Sequence, residues 1–326
     1  MKKKVLLIRL DKIGDLICTM CVDQVSFLKD HDIHWAIAKG LAFVPEHASP
    51  KRSFLELDKN NWKDSLQKLR EFLKQYQPDV AVSFQAPWWV SYALWAENIP
   101  VRAGVQSQWH SFLFFNKGLR QKRSLATQHE SEYNMDLLRH ALEIPAPVDV
   151  PTLILESKND DDVLSKYHLS KNDYVVVHPG MAGSALNWPI ASYIELIERV
   201  LPLHSVVLTG TPADEPWLTE IKARFKDHKN FINLQNELKP TGLFSILKNA
   251  KAVIVPSTGV AHMAASLGGK VLGLYSPLRV QHPRRWAARG KDVTIFCPAE
   301  RTNYDDVSTL MNEISVSDVF NKLIGS

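Results

Sequence analysis

"KVLLIRLDKIGDLICTM", residues 4–20, begins with the unbroken apolar run Val5-Leu6-Leu7-Ile8. It then sets Arg9, Asp11, Lys12 and Asp15 in the path of the chain before apolar spacing resumes at Leu16, Ile17 and Met20. A short apolar run of this kind reads as a buried strand, and the spacing after it as a helix, expected to run to about residue 29. The charges therefore fall on a strand-to-helix loop. In open α/β sheets such loops lie at the carboxyl ends of the strands, where ligands bind, and Gly14 is expected to supply a backbone angle costly for other residues. Asp15 then stands in the first helical turn, where a carboxylate also simply suits the helix dipole.

The same alternation continues outward. "IHWAIA" (33–38), a charged helical stretch from about 60 to 77, "DVAVSF" (79–84), "WWVSYALWAENIP" (88–100) and "VRAGV" (101–105) read as strands and helices of a parallel sheet. "EIPAPVDVP" (143–151), with three prolines, reads as a linker. The pattern then restarts with "DYVVVHPG" (173–180), a helix from Pro189, "SVVLTG" (205–210), a helix through Trp217 and Ile221, "FINL" (231–234), a helix around Leu243 to Leu247, "AVIVPSTG" (252–259), "AHMAASLG" (261–268) and "VLGLYSP" (271–277). "VSDVFNKLIGS" (316–326) reads as a last helix capped by Ser317 or Asp318, and one place for it is back against the first half. The expectation is an α/β chain of two doubly wound, Rossmann-like domains, 1–150 and 151–326, which suits a length of 326 residues.

Composition narrows the function. With 45% apolar and 23% charged residues and a formal charge of +4, the chain reads as an ordinary soluble protein suited to an anionic substrate or a membrane surface. It lacks the basic stripe of a nucleic-acid binder. The basic start "MKKKVLLIRLDK" has too short an apolar core for a signal peptide, so the chain is expected in the cytoplasm, touching at most the inner face of the membrane. Of three cysteines, Cys18 and Cys21 form a C-x-x-C inside the apolar helix, which favours packing over redox or metal use. "NDDDV" (159–163) resembles an acidic metal motif but sits where carboxylates begin a helix, so no metal is expected there.

Three loops in the second half collect candidate chemistry. In "AVIVPSTGVAHMAASLGGKV" (252–271) a strand runs into Ser257, Thr258 and Gly259 at a helix start, with His262 in the first turn. Hydroxyls and unpaired amides at a helix N-terminus suit a phosphate. "VVVHPGMAGSALNWP" (175–189) repeats the design with Gly180, Gly183 and Ser184. "LTGTPADEPW" (208–217) ends a strand beside Asp214 and Glu215, placed either to hold a ribose diol or to cap a helix.

Together, "IRLDKIGDLICTM", "HPGMAGSALNWP", "LTGTPADE" and "PSTGVAHMAASLGGKVLGLYSP" resemble the ADP-heptose:lipopolysaccharide heptosyltransferase family, glycosyltransferase family 9. The resemblance implies a GT-B fold, with an N-terminal acceptor domain, a C-terminal nucleotide-sugar donor domain and a central cleft. It makes Asp15 the general base of an inverting transfer that needs neither metal nor cofactor, from a nucleotide-diphosphate sugar such as ADP-heptose to a lipopolysaccharide core acceptor. Gly183, Ser184, Asp214, Glu215, Ser257, Thr258, Gly259 and His262 would hold the donor, while Arg9, Lys12 and Arg102 would face an anionic acceptor. Two departures stand out: Ser257 replaces the usual acidic residue before "TG", and Leu186 replaces the usual lysine before "WP". They leave open a different donor, or a weak or inactive relative that keeps only binding.

Overall fold

The computed structural model describes residues 2–145, 147–181, 183, 185–300 and 309–325. The chain forms two compact units, Met1–Arg123 with Thr127–Leu153, and Ser124–Ala126 with Ile154–Ser326. The main change of unit falls just beyond the proline-rich stretch.

The first unit holds β1 (Lys4–Arg9), β2 (Asp32–Ala38), β3 (Ser53–Leu57), β4 (Val80–Gln85), β5 (Val101–Val105) and β6 (Lys117–Leu119). All pair in parallel, in the order β3-β2-β1-β4-β5-β6. The central strands read as continuous apolar runs because helices cover both faces, and Val5 through Ile8 are fully buried. Behind them Leu69 and Leu73 of the helix Trp62–Tyr76 join Trp89, Val90 and Leu94 of the helix Trp88–Ala96 in one core.

The second unit holds β7 (Tyr174–Val177), β8 (Ser205–Leu208), β9 (Phe231–Asn233), β10 (Ala252–Pro256), β11 (Val271–Leu274) and β12 (Val293–Phe296). Its order, β12-β11-β10-β7-β8-β9, repeats the first topology. In each sheet the order reverses between two central strands, β1 and β4 or β7 and β10. Loops leaving the carboxyl ends of those pairs must part in opposite directions, which opens a crevice there.

Several expectations are corrected. The first helix is Ile13–Met20 and continues only as the tight turn Cys21–Gln24. That turn swings Asp23 inward to a buried pairing with Arg52 and a hydrogen bond from the Trp35 indole. Gly14 is a buried helical residue without a left-handed φ; among the glycines proposed as site residues that angle belongs to Gly183, at φ 72°. Cys18 and Cys21 are buried, and desolvation raises the Cys18 thiol well above its ordinary range, so it is held as an unreactive packing group. The final helix, Val316–Ile324, is capped by the Ser315 hydroxyl, not by Ser317 or Asp318. It places Val319 and Leu323 in the core of the second unit with Ile197 and Val200.

Because Leu323 is fully buried in that core, Leu323→Ala should lower the stability of the second unit by about 2–5 kcal/mol. Denaturant unfolding followed by tryptophan emission measures it. A change within about 0.5 kcal/mol would mean the last helix does not belong to that core.

Candidate active site

The carboxyl end of β1 is built around Arg9, which is 3% exposed. Its guanidinium meets Asp15 at 2.6 Å, Asp11 at 3.1 Å and Glu130 at 3.2 Å. Burial alone would favour loss of the proton, but the fields of Glu130, Asp15 and Asp11 outweigh it and the net shift of Arg9 is upward. Glu130 is fully buried and also receives Arg123 at 2.6 Å. The same helix, Glu130–Leu142, fastens Ile13–Met20 through Asn134, which donates to the Thr19 hydroxyl, which in turn donates to the Asp15 carbonyl. Asp15 thus sits in a first helical turn, braced from two sides, with its carboxylate still partly open to solvent. Desolvation raises Asp11, against the pull of Arg9.

The acceptor candidates separate. Arg9 is spent on carboxylates and supports Asp15 from below. Arg102 pairs in register with Ala81 near the start of β4, whereas Arg9 pairs with Gln85 at its end. Four residues of strand put it roughly 13 Å back along the sheet, on the edge away from Asp15. There it donates to the carbonyls of Ile99 and Phe114 and works as a structural clamp. Lys12 alone is exposed at the carboxyl edge, at the N-cap of the Asp15 helix.

In the second unit, Ser257, Thr258 and Gly259 follow β10 directly, and Thr258 is the extended N-cap of the helix Gly259–Ser266. The Thr258 hydroxyl is buried yet has no hydrogen-bond partner among the described residues. A buried donor of this kind at a helix N-terminus is chemically suited to an anion. His262 is buried one turn further on. The loop after β7 carries the exposed Gly183; Ser184 lies outside the described residues. Leu186 packs against the core, and its amide is bonded by Gln281 from the loop after β11.

Asp214 takes the capping role. Its carboxylate is buried, accepts the amide and hydroxyl of Thr211, and lies so close to Gly180 that a Cβ there would collide with it. Glu215 is exposed, and hydrogen bonds from Lys222, Gln235 and Thr219 hold it down to about 2. At "NDDDV" the acidic residues start the helix Asp160–Lys166. Among the described residues no group of three or more His, Cys, Asp or Glu side chains could hold a metal ion, and no helix is long and apolar enough to cross a membrane.

Residues 66–313 match the family Glycosyltransferase family 9 (heptosyltransferase). The chain belongs to glycosyltransferase family 9. It is therefore a glycosyltransferase. A Haemophilus influenzae relative, itself a proposed glycosyltransferase, is 27% identical over 311 residues, covering 87% of this chain and 85% of its own. Lipopolysaccharide heptosyltransferase 1 of Pseudomonas aeruginosa is 23% identical over 299 residues, covering 84% and 79%. The family 9 structure from Veillonella parvula superposes with a TM-score of 0.83 at 17% identity, covering 100% and 99%, which together with the two sheets identifies the GT-B fold.

Glu130 and Arg123 were not among the family-9 candidates read from sequence, because Glu130 lies 121 residues from Arg9 and no local pattern marks it. His178, directly after β7, was missed as well. It is buried, bonded to the Thr209 hydroxyl, and pushed by desolvation from 6.5 to about 4, against the field of Asp214. A depressed histidine stabilises the fold above its unfolded value, and that contribution is lost as pH falls from about 6.5 toward 4. Unfolding free energy should therefore drop across that window, and His178→Gln should flatten the drop. Identical slopes in both proteins would show that His178 binds its proton equally in the folded and unfolded states and is not depressed by burial.

Proposed function

We propose that this family 9 glycosyltransferase moves a heptose from ADP-heptose to a lipopolysaccharide core acceptor, with inversion and without a metal. The observation that carries the reading is Asp15: a partly open carboxylate at the crevice of the first sheet, fixed by a buried arginine. Asp15 takes the proton of an acceptor hydroxyl as that oxygen attacks the anomeric carbon from the face opposite the diphosphate. The bond from that carbon to the diphosphate oxygen breaks, and the nucleoside diphosphate leaves with the electron pair. Negative charge then grows on the leaving group. The Thr258 hydroxyl and the first-turn amides of Gly259–Ser266 are donors suited to it, so a cation is not required. The substrates themselves come from relatives: Lipopolysaccharide heptosyltransferase 2 of Salmonella typhimurium matches at 25% identity over 189 residues, and an Escherichia coli heptosyltransferase solved with ADP has the same fold at a TM-score of 0.72.

Asp15→Asn should leave nucleotide binding nearly unchanged and lower turnover about a hundredfold or more. Steady-state rates with ADP-heptose, beside calorimetric ADP affinity, give both numbers. Ordinary turnover would remove Asp15 from the mechanism, and ADP binding without turnover in the unaltered enzyme would favour the binding-only reading.

The phosphate turn has its own test. Gly259→Val should weaken ADP strongly by crowding the amides, and Thr258→Val should cost about 1–3 kcal/mol of affinity through one hydroxyl to a charged partner. A mere helix cap would instead cost about 1 kcal/mol of stability and leave affinity untouched. Calorimetry and denaturant unfolding on the same samples distinguish the two.

A further inference from the structure

The first unit carries an exposed aromatic face to which the proposed chemistry assigns no role. The helix Trp88–Ala96 has no charged side chain on any side, yet it lies at the surface and turns Trp88 and Trp95 outward. Rings continue from one element to the next: Trp62 to Trp88 at 5.8 Å, Trp88 to Tyr92 at 6.4 Å, Tyr92 to Phe114 at 5.8 Å and Phe114 to Trp109 at 6.4 Å. The short helix Trp109–Phe114 adds Phe112 and Leu113, and Trp109 and Leu113 are 64% and 65% exposed. Soluble chains seldom leave such a contiguous apolar patch in water without a partner for it.

Charge identifies that partner. Between Glu97 and Glu130 the sequence has no carboxylate, while Arg102, Lys117, Arg120, Lys122 and Arg123 all fall there. Arg102, Lys117 and Arg123 are engaged within the unit. Arg120 and Lys122 are exposed and line a cavity of about 460 Å³ together with Arg139 and His140, where Asp136 is already held by Gln128 and Arg139. The Arg120 guanidinium rides 5.4 Å from the Phe112 ring, so the basic cavity and the aromatic face are continuous. At the far end Lys63 lies 5.8 Å from the Trp62 ring.

We propose that this face docks on an anionic lipid bilayer, with Trp88, Trp95, Trp109, Phe112 and Leu113 at the headgroup boundary and Arg120 and Lys122 on lipid phosphates. Indole and phenyl rings favour that boundary, and flanking cations add attraction to anionic headgroups. A second copy of the chain fits worse, because a two-fold contact would set these cations against themselves. The proposal deepens the reading of a lipid-borne acceptor: both helices spring from the carboxyl ends of β4 and β5, the edge of the sheet on which Asp15 stands.

The test is co-sedimentation of the full chain with vesicles of phosphatidylcholine, with and without phosphatidylglycerol. Binding is expected to the anionic vesicles, with a blue shift of tryptophan emission, and to weaken as salt rises. The triple variant Trp109→Ser, Phe112→Ser, Leu113→Ser should bind about tenfold or more weakly. The pair Arg120→Glu, Lys122→Glu should lose the preference for anionic lipid. Both should keep the unfolding midpoint and the rate on a deacylated, water-soluble acceptor. If the triple variant fails to fold, the exposed charge pair decides the matter alone. No vesicle binding by the unaltered chain, or binding that neither variant weakens, overturns the proposal. So does a dimer in sedimentation velocity that the variants abolish in the absence of vesicle binding. Failed transfer to the soluble acceptor by the unaltered enzyme would defeat the heptosyltransferase reading instead and leave the vesicle result standing.

Discussion

A guanidinium taken out of water is tolerable only where carboxylates replace the water, and Arg9 has three within ion-pair distance. Because one of them is Glu130 on a distant helix and another is Asp15 on the next, the charge balance is also a mechanical tie. It fixes the end of β1, the start of the following helix and the segment around Arg123 to one point. A buried pairing that loses one member typically costs about 3–5 kcal/mol, so the arrangement does not relax gradually. What this secures is position: under the proposed function, a base that must meet a hydroxyl within hydrogen-bond distance gains from a carboxylate with few alternatives.

The repeated topology explains why the two units carry opposite chemistry at equivalent places. Both present a central crevice at the carboxyl ends of the strands, β1 with β4 and β7 with β10. The first unit lines its crevice with Asp11 and Asp15, acceptors suited to removing a proton. The second offers the Thr258 hydroxyl and helix amides, donors suited to a diphosphate. Neutral donors fixed by a helix need no reorganisation as charge develops.

What was legible in the sequence follows from this. Loops such as "RLDKIGD" and "PSTG" follow buried strands whose apolar runs are unmistakable, so their place at a carboxyl edge could be read directly. Arg102 could not be placed, because a cation beside a strand looks the same at either end until the register with β4 is known. Of the four edge strands, β3, β6 and β12 went unread: their residues are mostly half-exposed, which removes the apolar run. Asp23 stopped the first helix through partners at Trp35 and Arg52, a tertiary effect that local spacing does not record.

The two departures from the family pattern meet in this frame. Leu186 packs against the second core where the family pattern has a lysine, and Ser257 stands where that pattern has an acidic residue. One change withdraws a positive charge and the other a negative one, so together they leave the net charge of the family pattern unaltered. Under the proposed function the work of anion binding then falls to hydroxyls and amides, and the Thr258 hydroxyl, buried and without a hydrogen-bond partner among the described residues, is a donor suited to it.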